Sequence, residues 1–298
     1  MVSDHITHSR GIVLVFMAGV LWSTVGLGVR MIDDAAAWQI LFFRSISLSL
    51  FLSLVIYVMR RQNPIALARQ MGWNGIIGGL ALVGAYAGGI YSIQVTSVGN
   101  ALLLFASAPF MTAILGKIIL GEAVRRATWI SIILAIFGIA IMVFDKFGGS
   151  AIYGNLAALG SALGFAIFTI TLRHGKATDM MPVVFLSGIF GIVIMGVICL
   201  AVGLPLSLSG NDLGVSLGMG VFQVGAGLVL FTLGSRTVPA AELTLLSLAE
   251  VVLGPFWVWL FIGEVLTTNT IIGGMILLIA ITANALSGQR RKPPPRAI

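Results

Sequence analysis

Charge is what this sequence has least of. Only 9% of its 298 residues are Asp, Glu, Lys or Arg, against about 25% in soluble domains. Cys199 is the only cysteine, which excludes a disulfide scaffold and any paired-cysteine zinc site. Histidine is confined to His5, His8 and His174. There is no HExxH and no phosphate loop, so nothing resembles a set of converging catalytic groups, and an integral membrane enzyme is a remote alternative. No stretch is left over for an ATP-binding domain, which excludes a primary pump. No cofactor and no metal are expected. What is present is apolar: 58% of residues are hydrophobic and the mean hydropathy is +1.08. A soluble core of this size could not hide that much apolar side chain. The runs are apolar throughout rather than alternating, which excludes a β-barrel. The net charge of +7 is therefore read by position, and no nucleic-acid partner is expected.

A helix needs roughly 20 apolar residues to cross a bilayer. Apolar windows between charged or Gly/Pro breaks predict ten spans: 11–30, 36–58, 72–93, 98–120, 127–144, 152–172, 181–203, 213–235, 240–262 and 270–287. The expected fold class is an all-α integral membrane protein. Connections such as Gln94–Ser97 and Gly121–Arg126 are short enough to force antiparallel neighbours. Residues 1–10 lack a cleavage-site pattern, so the first span is expected to be retained. Residues 289–298 hold Arg290, Arg291, Lys292, Arg296 and Pro293–Pro295. They read as a basic, polyproline-like tail suited to anionic membrane lipid.

Basic residues orient the chain. Thirteen of the 17 fall on the side of the N-terminus: Arg10, Arg60, Arg61, Arg69, Arg125, Arg126, Arg173, Lys176, Arg236 and the four of the tail. Arg30 and Lys146 fall on the other side, and Arg44 and Lys117 lie within spans. Both termini are thus expected in the cytoplasm.

The two halves repeat. Gly11, Gly19, Trp22 and Arg30 match Gly154, Ala162, Phe165 and Arg173 at a constant offset of 143, and Leu120-Gly121-Glu122 matches Ile262-Gly263-Glu264 at 142. The repeats are read as 11–147 and 148–288. Each holds five spans, and five is odd, so the two insert in opposite senses. Inverted repeats of this kind are a mark of secondary transporters that work by alternating access. A channel-like facilitator is the weaker alternative, because no filter segment or re-entrant loop is visible.

At this point a resemblance enters. Thr96-Ser97-Val98-Gly99-Asn100-Ala101-Leu102, Ala108-Pro109 and Gly121-Glu122 form one pattern. Val238-Pro239-Ala240-Ala241-Glu242, Glu250-Val251 and Gly263-Glu264 form its second copy. Together they resemble the drug/metabolite transporter superfamily, EamA type, over essentially the whole chain. The family's mid-helix Glu-Pro is split here, with Pro109 in one half and Glu250 in the other. Leu21-Trp22-Ser23-Thr24 is similar to the YddG-type aromatic amino-acid exporters. The resemblance implies a central cavity formed by spans 1, 3, 4, 6, 8 and 9. It also implies export of amino acids or similar small metabolites across a bacterial inner membrane, with multidrug export as an alternative.

Charged groups within a bilayer are costly and usually functional. Glu250 lies near the middle of the ninth span and is expected to bind a proton or a substrate ammonium. Arg44 could fix a substrate carboxylate, but a structural or snorkelling role is favoured, and Lys117 is expected to snorkel. Glu122, Glu242 and Glu264 sit at helix boundaries and read as structural. Polar and aromatic residues of the cavity spans complete the expected binding site: Trp22, Ser23, Thr24, Tyr86, Tyr91, Asn100, Ser107, Phe165, Thr169, Gln223, Thr244 and Ser247. The symmetry-related Trp22 and Phe165 are the expected walls. Trp38, Trp73, Trp129 and Tyr153 are assigned to interfacial belts. Pro109 and Pro255 are expected to kink their helices and serve as hinges. The GxxxG pairs Gly75–Gly79, Gly84–Gly88, Gly160–Gly164 and Gly214–Gly218 are expected at close helix contacts.

Overall fold

The computed structural model describes residues 8–144, 151–176, 179–238 and 240–289. Among them there are helices and no strand. Ten long helices follow one another: α1 (His8–Arg30), α2 (Ala37–Arg60), α3 (Gly72–Val95), α4 (Val98–Leu120), α5 (Arg126–Phe144), α6 (Ala151–His174), α7 (Met181–Ala201), α8 (Gly210–Gly234), α9 (Ala240–Ile262) and α10 (Thr268–Gln289). Among the described residues, nine are long and apolar enough to cross a membrane. The exception is α9, whose apolar stretch there is Leu248–Ile262. Of the expected tails, 1–7 and 290–298 lie outside the described residues, as does 145–150 at the join between the repeats, while His8 opens α1 and Gln289 closes α10. A short helix, Pro64–Gln70, was read from sequence as loop. Asn63 caps it by accepting the Ile65 N–H at 2.9 Å, and Pro64 opens it.

Three of the long helices are interrupted. In α1 the turn is at Thr24, where Ser23 and Thr24 hydroxyls donate to the Val20 and Leu21 carbonyls. Such back-bonding competes with the helix ladder. In α4 the break falls at Ala106–Ser107, just ahead of Pro109, which has no N–H and crowds the preceding turn. In α8, Met219–Ala226 is π-helical. By contrast α9 stays helical through Pro255, which lies inside it.

The core is built from exchanged pairs. Helix α1 packs on α8 and α9; α6 packs on α3 and α4. Helix α2 packs on α7 and α8, and α7 packs also on α3. Helices α5 and α10 pair with each other. Exchanging each helix for the one five places along leaves this set unchanged. The ends match too. Gly11, at the start of α1, lies against Thr237 and Val238, and Gly154, at the start of α6, lies against Val95 and Thr96. Since Arg30 at the end of α1 donates to the Thr96 carbonyl at 2.7 Å, α6 begins where α1 finishes and runs the other way.

Small residues set the helix spacing. A Cβ on Gly220 would strike Ser47 and the Arg44 carbonyl, and one on Gly188 or Gly191 would strike Ser49 or Ser45. Of the GxxxG pairs, Gly75 and Gly79 face Leu186 and Phe190 of α7, while Gly88 and Gly164 hold α3 to α6. Gly214 and Gly218 meet nothing within 4 Å, so that pair is not a contact.

Candidate functional site

Arg44 is the most unusual side chain in the bundle. It lies eight positions into α2 and is 2% exposed. Among the described residues its Nε and Nη2 have no hydrogen-bond partner. Its guanidinium sits over the ring of Tyr86 on α3, 4.3 Å from the centroid, a cation–π arrangement. Helix α8 crosses α2 at this level, with Gly220 against the Arg44 carbonyl. One turn on, in the π-helical stretch, buried Gln223 leaves its Oε1 without a donor. π-Helical turns recur at functional sites. Glu250 on α9 is partly buried and follows Ala249, whose Cβ lies beside Gly19 of α1. Among the described residues it forms no ion pair. A void of about 10 Å³, bordered by Leu41, Ser45, Val83, Tyr86, Ser187, Gly191 and Met195, adjoins the arrangement. Buried donors and acceptors are normally satisfied. Here a cation and an acceptor stay unmatched in one region.

The other expected site residues are more dispersed. Trp22 meets Phe231 of α8 with ring centroids 5.3 Å apart and the planes tilted, whereas Phe165, 38% exposed, meets Phe105 and Phe168. The two expected walls have separate aromatic neighbours. Ser23 is buried and accepts Trp257 Nε1 at 2.9 Å. Asn100 is buried inside the α4–α6 contact rather than on a cavity wall, where its Nδ2 donates to Asn155 and to Thr96. Ser107 and Thr169 donate within their own helices, to Leu104 and Phe165. Tyr91 stacks on Trp38. The side chains of Thr244 and Ser247 lie outside the described residues. Trp73 and Tyr153 are exposed, as a belt requires. Lys117 caps the ring of Trp129 at 5.0 Å.

The boundary glutamates have partners that the sequence did not reveal. Arg30 Nε donates to Glu264 Oε2 at 2.8 Å, and Glu264 Oε1 accepts the Val98 N–H at 2.7 Å. At the opposite end Arg173 pairs with Glu122 at 2.6 Å. Each arginine closes α1 or α6 of one half, and each glutamate follows α9 or α4 of the other. Gly121 and Gly263, at φ 68° and 77°, end those helices. Only glycine adopts that left-handed turn without strain, and it swings each glutamate back toward its arginine. Glu242 pairs with His8 at 3.0 Å.

The model of the EamA-like transporter family matches this chain twice, over residues 9–144 and 152–286. The chain belongs to that family. This EamA-like chain is 27% identical over 284 residues to "Pseudopaline exporter CntI" of Pseudomonas aeruginosa, covering 92% of the chain and 95% of the relative. It is 22% identical to "Uncharacterized transporter" of Clostridium kluyveri, over 94% of each. With "Protein RarD" of Salmonella typhimurium it shares 28% over 55% of each. A solved crystal structure, 16% identical, superposes with a TM-score of 0.67 over 96% of the chain and all of that structure, which shows the fold alone. The EamA-like chain is thus a multi-pass membrane transporter. Asn155 and Trp257, the partners of Asn100 and Ser23, were not singled out from the sequence. For Arg44 the signal was present, an arginine in an otherwise apolar window. Of the roles favoured for it, structural or snorkelling, 2% exposure excludes snorkelling.

Proposed function

We propose that this protein is a secondary transporter that exports amino acids or similar small metabolites across the bacterial inner membrane by alternating access. The carrying observation is the pair of cross-half ion pairs, Arg30–Glu264 and Arg173–Glu122, at opposite ends of the bundle. Two five-helix halves in opposite senses, residues 11–147 and 148–288, with α9 as the tenth span, give each pair the role of a gate. One opens while the other holds. The Arg173 end faces the cytoplasm, as do both termini, in keeping with the bias of basic residues. Pro109 lies at the break in α4 and serves as a hinge. The name of the Pseudomonas aeruginosa relative supports export. Proteoliposomes loaded with a labelled amino-acid mixture should lose label only when they contain the protein. No protein-dependent flux of any component would sink the reading.

Glu250 supplies the second element. A carboxyl at membrane depth without an ionic partner can carry a proton or receive a substrate ammonium. Proton coupling predicts that Glu250→Gln abolishes proton-driven flux while leaving exchange. Unchanged flux with an unchanged pH profile would make the protein a uniporter.

A further inference from the structure

We infer that Arg44, stacked on Tyr86, is the point at which a carboxylate of the substrate is recognised. The inference rests on the transport reading and adds a chemical requirement to it. An arginine that is 2% exposed, at a helix crossing, with Nε and Nη2 both unpartnered, lacks a counter-charge. Removing a guanidinium from water without one costs several kcal/mol. Snorkelling is ruled out by its burial, and no ion pair among the described residues involves it. Tyr86 covers one face of the guanidinium, but a ring face attracts a cation far less than a carboxylate does. It leaves the edge of the group, where Nε and Nη2 sit side by side, without an acceptor. That edge is the fork that takes a carboxylate through two parallel bonds. Glu250, the acidic residue within α9, forms no ion pair with Arg44. The adjoining void holds no more than a water-sized occupant, so the carboxylate enters when helices α2, α3 and α7 separate. At this level the α2–α7 face pairs small residues, Ser45 against Gly191 and Ser49 against Gly188.

The test is thermal unfolding of the purified full-length protein in detergent, with a panel of amino acids, simple mono- and dicarboxylic acids, and the α-amide of each amino acid. At least one carboxylate should raise Tm, and its amide should not. Arg44→Met, which keeps an apolar stem and removes the unpaired charge, should fold and should bind that carboxylate roughly ten- to a hundredfold more weakly. Arg44→Lys should keep the charge, lose the fork and fall between. Equal stabilisation by acid and amide would overturn the assignment, as would no shift with any carboxylate, or full binding by Arg44→Met. Stabilisation by chloride or phosphate alone would reassign Arg44 to an inorganic anion and also overturn it. Should Arg44→Met fail to fold, the acid-against-amide comparison on the unaltered protein still decides. A carboxylate-specific Tm shift without liposome flux would sink the transport reading and leave this one standing.

Discussion

The two seams between the halves are built alike and fastened differently. Along α1 and α9, three side-chain links recur at one separation, 234 residues: His8–Glu242, Ser23–Trp257 and Arg30–Glu264. A constant separation means two parallel helices in steady register. Along α4 and α6 the links are Asn100–Asn155, Phe105–Phe165 and Glu122–Arg173, whose separations drift from 55 to 60 and back to 51. The drift follows the break in α4 before Pro109. The middle hydrogen bond has no counterpart: the equivalents of Ser23 and Trp257, at offsets of 143 and 142, are Ala166 and Leu115, whose side chains cannot hydrogen-bond. The end pairs differ as well. Side chains of Arg30 and Glu264 are 24% and 20% exposed and hold two further backbone groups, whereas Arg173 and Glu122 are 47% and 38% exposed. One duplicated design therefore has a firm seam and a loose one, and the loose one parts at lower cost.

The largest effect is expected at the firm end. Glu264→Gln leaves Arg30 partly buried without its counter-charge and weakens the acceptor for Val98. It should cost about 1.5–3 kcal/mol, measured as unfolding free energy in detergent. Next comes the middle link, where Ser23→Ala orphans Trp257 Nε1 and should cost about 1 kcal/mol. The Ala166→Ser counterpart in the other seam should gain nothing, because Leu115 offers no donor. Smallest is the loose end, where Glu122→Gln should cost less than about 1 kcal/mol, with the difference erased at high salt. Equal costs at 122 and 264 would break the comparison. In flux assays the order reverses if the Arg173 end is the one that opens: Glu122→Gln should change transport with little loss of stability.

Much of this was legible in the chain. Helix ends follow apolar runs and their breaks, so the expected spans match the helices to within a few residues. The short helix Pro64–Gln70 escaped because an Asn-Pro start and seven residues leave no periodicity to read. The arginines and glutamates at the span ends were legible as a repeating set but not as partners, since the bonds join residues 51 and 234 apart. Expected site residues fared unevenly for one reason. A polar residue in an apolar window can face a cavity or a neighbouring helix, and composition does not distinguish them. Asn100 found Asn155, Ser23 found Trp257, and Arg44 found an aromatic face but no acceptor.

By itself, the sequence determined the solvent this protein lives in, the number and length of its apolar runs, and the repeat that ties its two ends together. Those are properties of single segments, set by transfer free energy and helix rise. Only the tertiary structure decided which arginine meets which glutamate, which seam is firm, and that Arg44 is left buried with donors to spare. Those depend on the facing of neighbouring helices, where a shift of one residue turns a side chain by about 100° and changes everything it touches.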